Sequence, residues 1–161
     1  MTESRSLGFT LVELMLVIVL ISVMTALTAP RFRRTASEFE LKNAAFNLYH
    51  VVQFARERAF IEGREFRIHF DYDKKDYRLL AGPDPTQPLR REAEFKPVEG
   101  RFGKKIRLAQ ELSLEGRQND LTCSPDGNCD VATFRIRNQE GAYEIAVENL
   151  GGVIRLREVS Q

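Results

Sequence analysis

A single carboxylate, Glu13, stands four residues inside an apolar run that extends from Phe9 to Ala29. An ionisable side chain at membrane depth costs roughly 2.5–3.5 kcal/mol even on lenient insertion scales. No basic residue lies within the run to pair with it. A chain that keeps such a charge uses it, so the partner of Glu13 is the first question the sequence poses. At ~1.5 Å per residue, the segment makes a helix about 31 Å long, close to the ~30 Å hydrocarbon core of a bilayer. Three readings compete. A cleaved secretory signal has a shorter apolar region and a small-residue cleavage site after it, whereas this run ends in the poor site Leu27-Thr28-Ala29-Pro30-Arg31. A buried core helix of a cytosolic protein has no need of a polar leader before so long a run. A single transmembrane anchor over 9–29, behind a polar leader 1–8, fits best.

Orientation is contested by the residues themselves. Arg31, Arg33 and Arg34 follow the span and only Arg5 precedes it, so the positive-inside rule puts the C-terminal domain in the cytoplasm. The cysteines argue the other way. Cys123 and Cys129 form no CxxC pair and lie far from His50 and His69, so they do not supply the four ligands of a structural zinc site. In an exported domain they read as a disulfide, with two free thiols as the alternative. The whole chain has 161 residues and net charge +1, enough for one modest domain and no argument for nucleic acid or an acidic partner. No Gly-x-Ser-x-Gly elbow, Walker A loop or dinucleotide fingerprint is present. The expectation is a protein that is not an enzyme and holds no cofactor or metal.

Pro30 should break or kink the helix, because it lacks an N–H and clashes with the preceding turn. A second helical stretch is expected over Thr35 to Glu62, where Leu41, Ala45, Leu48, Val52, Ala55 and Ala59 recur at spacings of three and four. Lys42, Asn43, Gln53, Arg56 and Glu57 take the opposite side, and Gly63 is a natural stop. From Glu65 the period shortens to two: Phe66, Ile68 and Phe70, then Tyr77 and Leu79, predict two strands around the turn 71–76. His69 falls on the polar face of its strand. Three aspartates in that turn invite a calcium reading, but Lys74 and Lys75 sit among them and the spacing is not that of an EF-hand, so a charged hairpin turn is preferred.

Residues 82–105, rich in Pro and Gly, read as a loop and as the most variable and mobile segment. Its mixed charge leaves an anionic-ligand surface as a minor reading beside a plain solvated loop. Ile106 and Leu108, then Leu112 and Leu114, are short strand candidates. Phe134 and Ile136, then Tyr143, Ile145 and Val147, then Val153 to Leu156, predict an antiparallel meander. Cys123 and Cys129 flank the turn Ser124-Pro125-Asp126-Gly127-Asn128. A bond closing so short a loop restricts the unfolded chain by roughly 2–2.5 kcal/mol, and is expected to pin a surface loop rather than the core. The fold class is α+β: a long N-terminal helical spine, half transmembrane and half amphipathic, packed on antiparallel β-sheet.

Gly8-Phe9-Thr10-Leu11-Val12-Glu13 and the apolar run behind it resemble the leader junction of type IV prepilins and type II secretion pseudopilins. The resemblance implies cleavage by a prepilin peptidase between Gly8 and Phe9, N-methylation of Phe9, and a domain on the periplasmic side of the inner membrane. It also supplies a partner for Glu13, the freed amine of Phe9 on a neighbouring subunit; snorkelling of Glu13 to the headgroups is the plainer alternative. The segment Phe54 to Gly63, the hairpin Phe66 to Leu80, the turn 124–128 and the closing run Ile145 to Leu156 are similar to the GspH/FimT-type minor pseudopilins. That likeness implies a pilin-like organisation: leader 1–8, membrane helix 9–29, periplasmic half of the spine 30–62 and β-rich domain 63–161. The function it implies is that of a minor pseudopilin of the type II secretion system, with other pseudopilins, inner-membrane lipid and secreted cargo as partners. A minor type IV pilin, acting in pilus assembly or DNA uptake, is the alternative, and nucleic acid is the less favoured partner.

Overall fold

A computed structural model describes residues 9–84, 94–148 and 153–159, the side chains of 26–33 excepted. Residues 1–8, where the leader is expected, 85–93, 149–152 and 160–161 lie outside the described residues. The chain divides into two units, Met1–Ala36 and Ser37–Gln161.

Helix α1 spans Leu11–Glu62 as one element of 52 residues. Of the break or kink expected at Pro30, the break does not occur: the helical backbone continues through it. A proline removes one N–H and strains one turn, and the helical bonds on either side hold the segment together. The helix ends where predicted. Gly63 takes φ 62°, the left-handed conformation that closes a helix and that a side chain disfavours. Within the second unit the predicted stripe is the buried one: Leu41, Ala45, Leu48, Val52, Ala55 and Ala59 are all inaccessible, joined by Val51.

The strands are antiparallel, as expected, and form two sheets. In the first, β1 (Phe66–Asp71) and β2 (Asp76–Ala81) make the predicted hairpin, running from Phe66 opposite Ala81 to Asp71 opposite Asp76. The far edge of β2 is taken by two short strands, β3 (Lys96–Pro97) and β4 (Ile106–Arg107). The described part of the supposed mobile loop, 94–105, is thus docked. Val98 N–H donates to Leu79 O at 3.2 Å, Leu79 N–H donates to Phe102 O at 3.0 Å, and the Phe102 ring packs 4.9 Å from Phe54. Gly103 is required there, since a Cβ would fall 1.7 Å from Val98 O.

The second sheet begins with β5 (Ser113–Gly116). The chain then leaves it: β6 (Asp120–Cys123) crosses to pair with β1 in the first sheet. It returns with β7 (Ala132–Arg137), β8 (Ala142–Glu148) and β9 (Val153–Val159), giving the order β5-β7-β8-β9. The predicted meander is therefore real for β7 to β9. The sheets share one core, where Phe70 of β1 stacks on Phe134 of β7 with ring centroids 4.3 Å apart.

Candidate functional site

The first turn of α1 is a capping box in sequence, Thr10-x-x-Glu13. Thr10 Oγ1 accepts the Glu13 N–H at 3.3 Å, and Thr10 O accepts the Leu14 N–H at 3.2 Å. Thr10 is thus the N-cap and Glu13 the third helical residue, the pairing in which the cap satisfies an orphan N–H. A carboxylate here also faces the positive end of the helix dipole. The Glu13 side chain is exposed and takes no partner among the described residues. Helix geometry thus gives Glu13 a local role that sequence reasoning overlooked, although the T-x-x-E pattern was legible. Phe9, one residue before the cap, is 76% exposed; Gly8 lies outside the described residues.

Behind the cap, every described side chain from Leu11 to Thr25 is exposed, including a near-continuous series of large apolar groups. The two hydroxyls in this stretch turn inward onto the backbone. Ser22 Oγ donates to Ile18 O at 2.7 Å, and Thr25 Oγ1 donates to Ile21 O at 2.8 Å. Back-bonding of this kind hides a polar group in an apolar medium. Among the described residues no helix is long and apolar enough to cross a membrane. The described side chains of the apolar run stop at Thr25, so the tail of the expected 9–29 span falls beyond them.

In the second unit, the side of α1 turned away from the sheets is not uniformly polar. Phe39, Phe46, Phe60 and Ile61 are all exposed there. At about 100° per residue they cluster on the face opposite the buried stripe. Lys42 Nζ lies 5.9 Å from the Phe46 ring centre, and Tyr49 meets His50 edge-on. Exposed aromatics in such a row mark a contact surface more often than a solvated one.

The cysteines are bonded, Cys123 to Cys129. The loop between them is at the surface, yet both cysteines are buried in the common core, so the bond anchors the core and not the loop alone. The reason is register: Cys123 is the last residue of β6, opposite Phe66 of β1. Inside the loop, Asn128 donates to Asp126 from its backbone N–H at 3.0 Å and its Nδ2 at 2.8 Å. These bonds hold the Asp126 carboxyl below its ordinary range. Arg56 of α1 reaches the loop, donating from Nε to Gly127 O at 3.0 Å.

The aspartate turn is used internally. Asp71 accepts from Lys74 twice, from N–H at 3.0 Å and Nζ at 2.7 Å. The side-chain bond foremost lowers the Asp71 pKa. Among the described residues no cluster of His, Cys, Asp and Glu has the geometry of a metal site. His69 pairs with Asp120 across β1 and β6, Nδ1 to Oδ1 at 2.7 Å. Burial pushes the Tyr77 phenol well above its usual range, with the Arg101 charge pulling weakly the other way. Such a phenol is a core group and no proton donor near neutrality.

Residues 4–29 match the prokaryotic N-terminal methylation motif. No curated protein sequence matches the chain. Solved structures do share its fold. The minor pseudopilin EpsH from the type 2 secretion system of Vibrio cholerae is 17% identical, with a TM-score of 0.63 over 76% of this chain and 99% of that one. The type IV minor pilin FimU of Pseudomonas aeruginosa is 19% identical, with a TM-score of 0.52 over 78% of this chain and 92% of that one. The chain carries the prepilin methylation motif on a helix-plus-antiparallel-sheet fold of the pilin-like kind.

Proposed function

We propose that the protein is a minor pseudopilin, a structural subunit of a type II secretion pseudopilus that serves protein export across the outer membrane. The single observation that carries this reading is the methylation motif over residues 4–29 joined to a helix whose first turn presents Glu13. In the proposed mechanism a prepilin peptidase cuts between Gly8 and Phe9, and the new amine at Phe9 is methylated. The apolar segment 9–29 stays in the inner membrane and the domain lies in the periplasm. Residues 30–62 carry the helix into the periplasm, and 63–161 supply the β-rich domain.

Glu13 then has two functions. Its backbone is held by the Thr10 cap, which fixes the turn. Its carboxylate remains available to the freed amine of an adjacent subunit, and in a low dielectric that pairing relieves both charges. Back-bonded Ser22 and Thr25 support the membrane placement, because they leave no free hydroxyl donor to lipid. The outward row of Phe39, Phe46, Phe60 and Ile61 supports contact with other pseudopilins along the helix. Secreted cargo is the further partner of the domain.

A minor type IV pilin is the second reading, favoured by the fold shared with FimU. It uses the same N-terminal machinery for pilus assembly or DNA uptake.

Mass analysis of the mature N-terminus tests the core of the proposal. The expected first residue is Phe9 with one added methyl group. An uncut chain, or a cut elsewhere, would defeat it. Replacing Glu13 by Val should leave insertion and cleavage intact and abolish recruitment into filaments, read by crosslinking to other subunits. Unchanged recruitment would remove the pairing role. Deleting the chain and scoring secretion against piliation separates the two systems, and tight, salt-sensitive DNA binding by the full-length protein would favour the pilin reading.

A further inference from the structure

The outer face of the second sheet carries one row of charges that crosses all four strands. Glu115 of β5 lies opposite Arg135 of β7, Arg135 opposite Glu144 of β8, and Glu144 opposite Arg157 of β9. The signs alternate along the row. Side chains directly opposite on adjacent strands approach to about 5 Å, where opposite charges attract and like charges repel. The inner pair is engaged, Arg135 Nη2 with Glu144 Oε2 at 3.0 Å, and Glu115 at the β5 end is taken from beside the row by Arg137 Nε at 2.7 Å. Arg155, one step along β9 on the same face, reaches Glu148 at 3.3 Å. Arg157 ends the row exposed, with no partner among the described residues.

Strand β9 is also an edge. Among the described residues it pairs only with β8, along all seven of its positions. Alternate N–H and C=O groups of such a strand point away from the sheet and offer themselves to another chain. The edge of β2 in the first sheet is filled by β3 and β4, and β6 is flanked by Asp130, whose N–H donates to Thr122 O at 2.9 Å. β9 has no comparable cover among the described residues. Its inner face is fixed by Ile154 and Leu156 packed on the core, so the register of the edge is set.

We propose that β9 takes an added strand from another protein, and that the incoming segment carries a carboxylate opposite Arg157. This occupant continues the alternation of the row and satisfies the open edge. Self-pairing of β9 with a second β9 is disfavoured by the same charges, since an antiparallel match about Leu156 sets Arg155 against Arg157. The inference needs only the edge and the row, and does not rest on which filament the protein joins.

The test uses the full-length protein in detergent micelles and two labelled nine-residue peptides of alternating Thr and Val. One peptide carries Glu at two alternate positions on one face and the other carries Lys at the same positions. Anisotropy reports binding, and amide hydrogen exchange reports where it occurs. The Glu peptide is expected to bind about tenfold more tightly than the Lys peptide and to slow exchange within 153–159. Arg157→Glu should reverse the preference, and Arg157→Gln should weaken the Glu peptide without favouring the Lys peptide. Absence of binding, binding without protection of β9, or a preference unchanged by Arg157→Glu would overturn the proposal. Self-association of the protein alone that Arg157→Glu disperses would also overturn it, by assigning the edge to β5 of a second copy.

Discussion

Asp126 shows how a single residue organises the disulfide loop. Its carboxylate collects two bonds from Asn128, and the ionised form is the one they favour. Because the folded pKa lies below the unfolded value near 3.8, the contribution is fully present above that value. It is lost as the pH falls through the folded pKa. A carboxyl NMR titration should therefore place Asp126 below an ordinary exposed aspartate, and Asn128→Ala should return it to the usual range. Asp71 should behave in the same way, with Lys74 as the group to replace. At Glu13 the sequence disclosed the anomaly of a buried-type position with a charge. It did not disclose which of its atoms are used locally, because that depends on whether Thr10 stands at the helix start.

At the level of elements, legibility followed locality. The stripe from Leu41 to Ala59, the stop at Gly63, the hairpin around 71–76 and strands β7 to β9 all have periods contained in neighbouring residues, and the structure has each of them. What escaped was set by distant partners. β6 is four residues long and finds β1 some fifty positions earlier, so nothing in its own pattern announces it. β3 is two residues long and includes a proline, and it exists because β2 has an edge to fill. Pro30 does not end the helix because one lost N–H is a small part of an element of 52 residues. The helix stop gives a clean test. No atom lies within 4 Å of where a Cβ on Gly63 would stand, so Gly63→Ala is penalised by backbone conformation alone. The expected loss is about 1 kcal/mol, measured by denaturant unfolding, with Gly63→Asn losing less.

For the molecule as a whole, the disulfide matters more than loop entropy suggests. Constraining the unfolded chain accounts for roughly 2–2.5 kcal/mol. Both cysteines also sit in the shared core, Cys123 opposite Phe66. Replacing both by Ser adds two buried hydroxyls to the lost constraint, whereas replacing both by Ala removes the constraint with less polar penalty. The Ser pair should therefore unfold at lower denaturant than the Ala pair, and both below the parent. Equal losses would mean the bond acts only on the unfolded chain. This distinction was not available from the cysteine spacing, which shows the loop and hides what the loop is tied to.

The crossing of β6 into the first sheet, between β5 and β7 of the second, has a consequence for how the chain is made. Neither sheet is built from one uninterrupted run of strands. The hairpin of β1 and β2 waits for β6, and β5 waits for β7, which follows only after the bonded loop. The two sheets are therefore stitched like a seam: the stretch from β1 to β6 that holds the first sheet also contains β5 of the second. A nascent chain stalled before Ala132 would hold every strand of the first sheet but only β5 of the second. The first sheet can therefore close before the second, and the edge at β9 is presented only when the last strand has arrived.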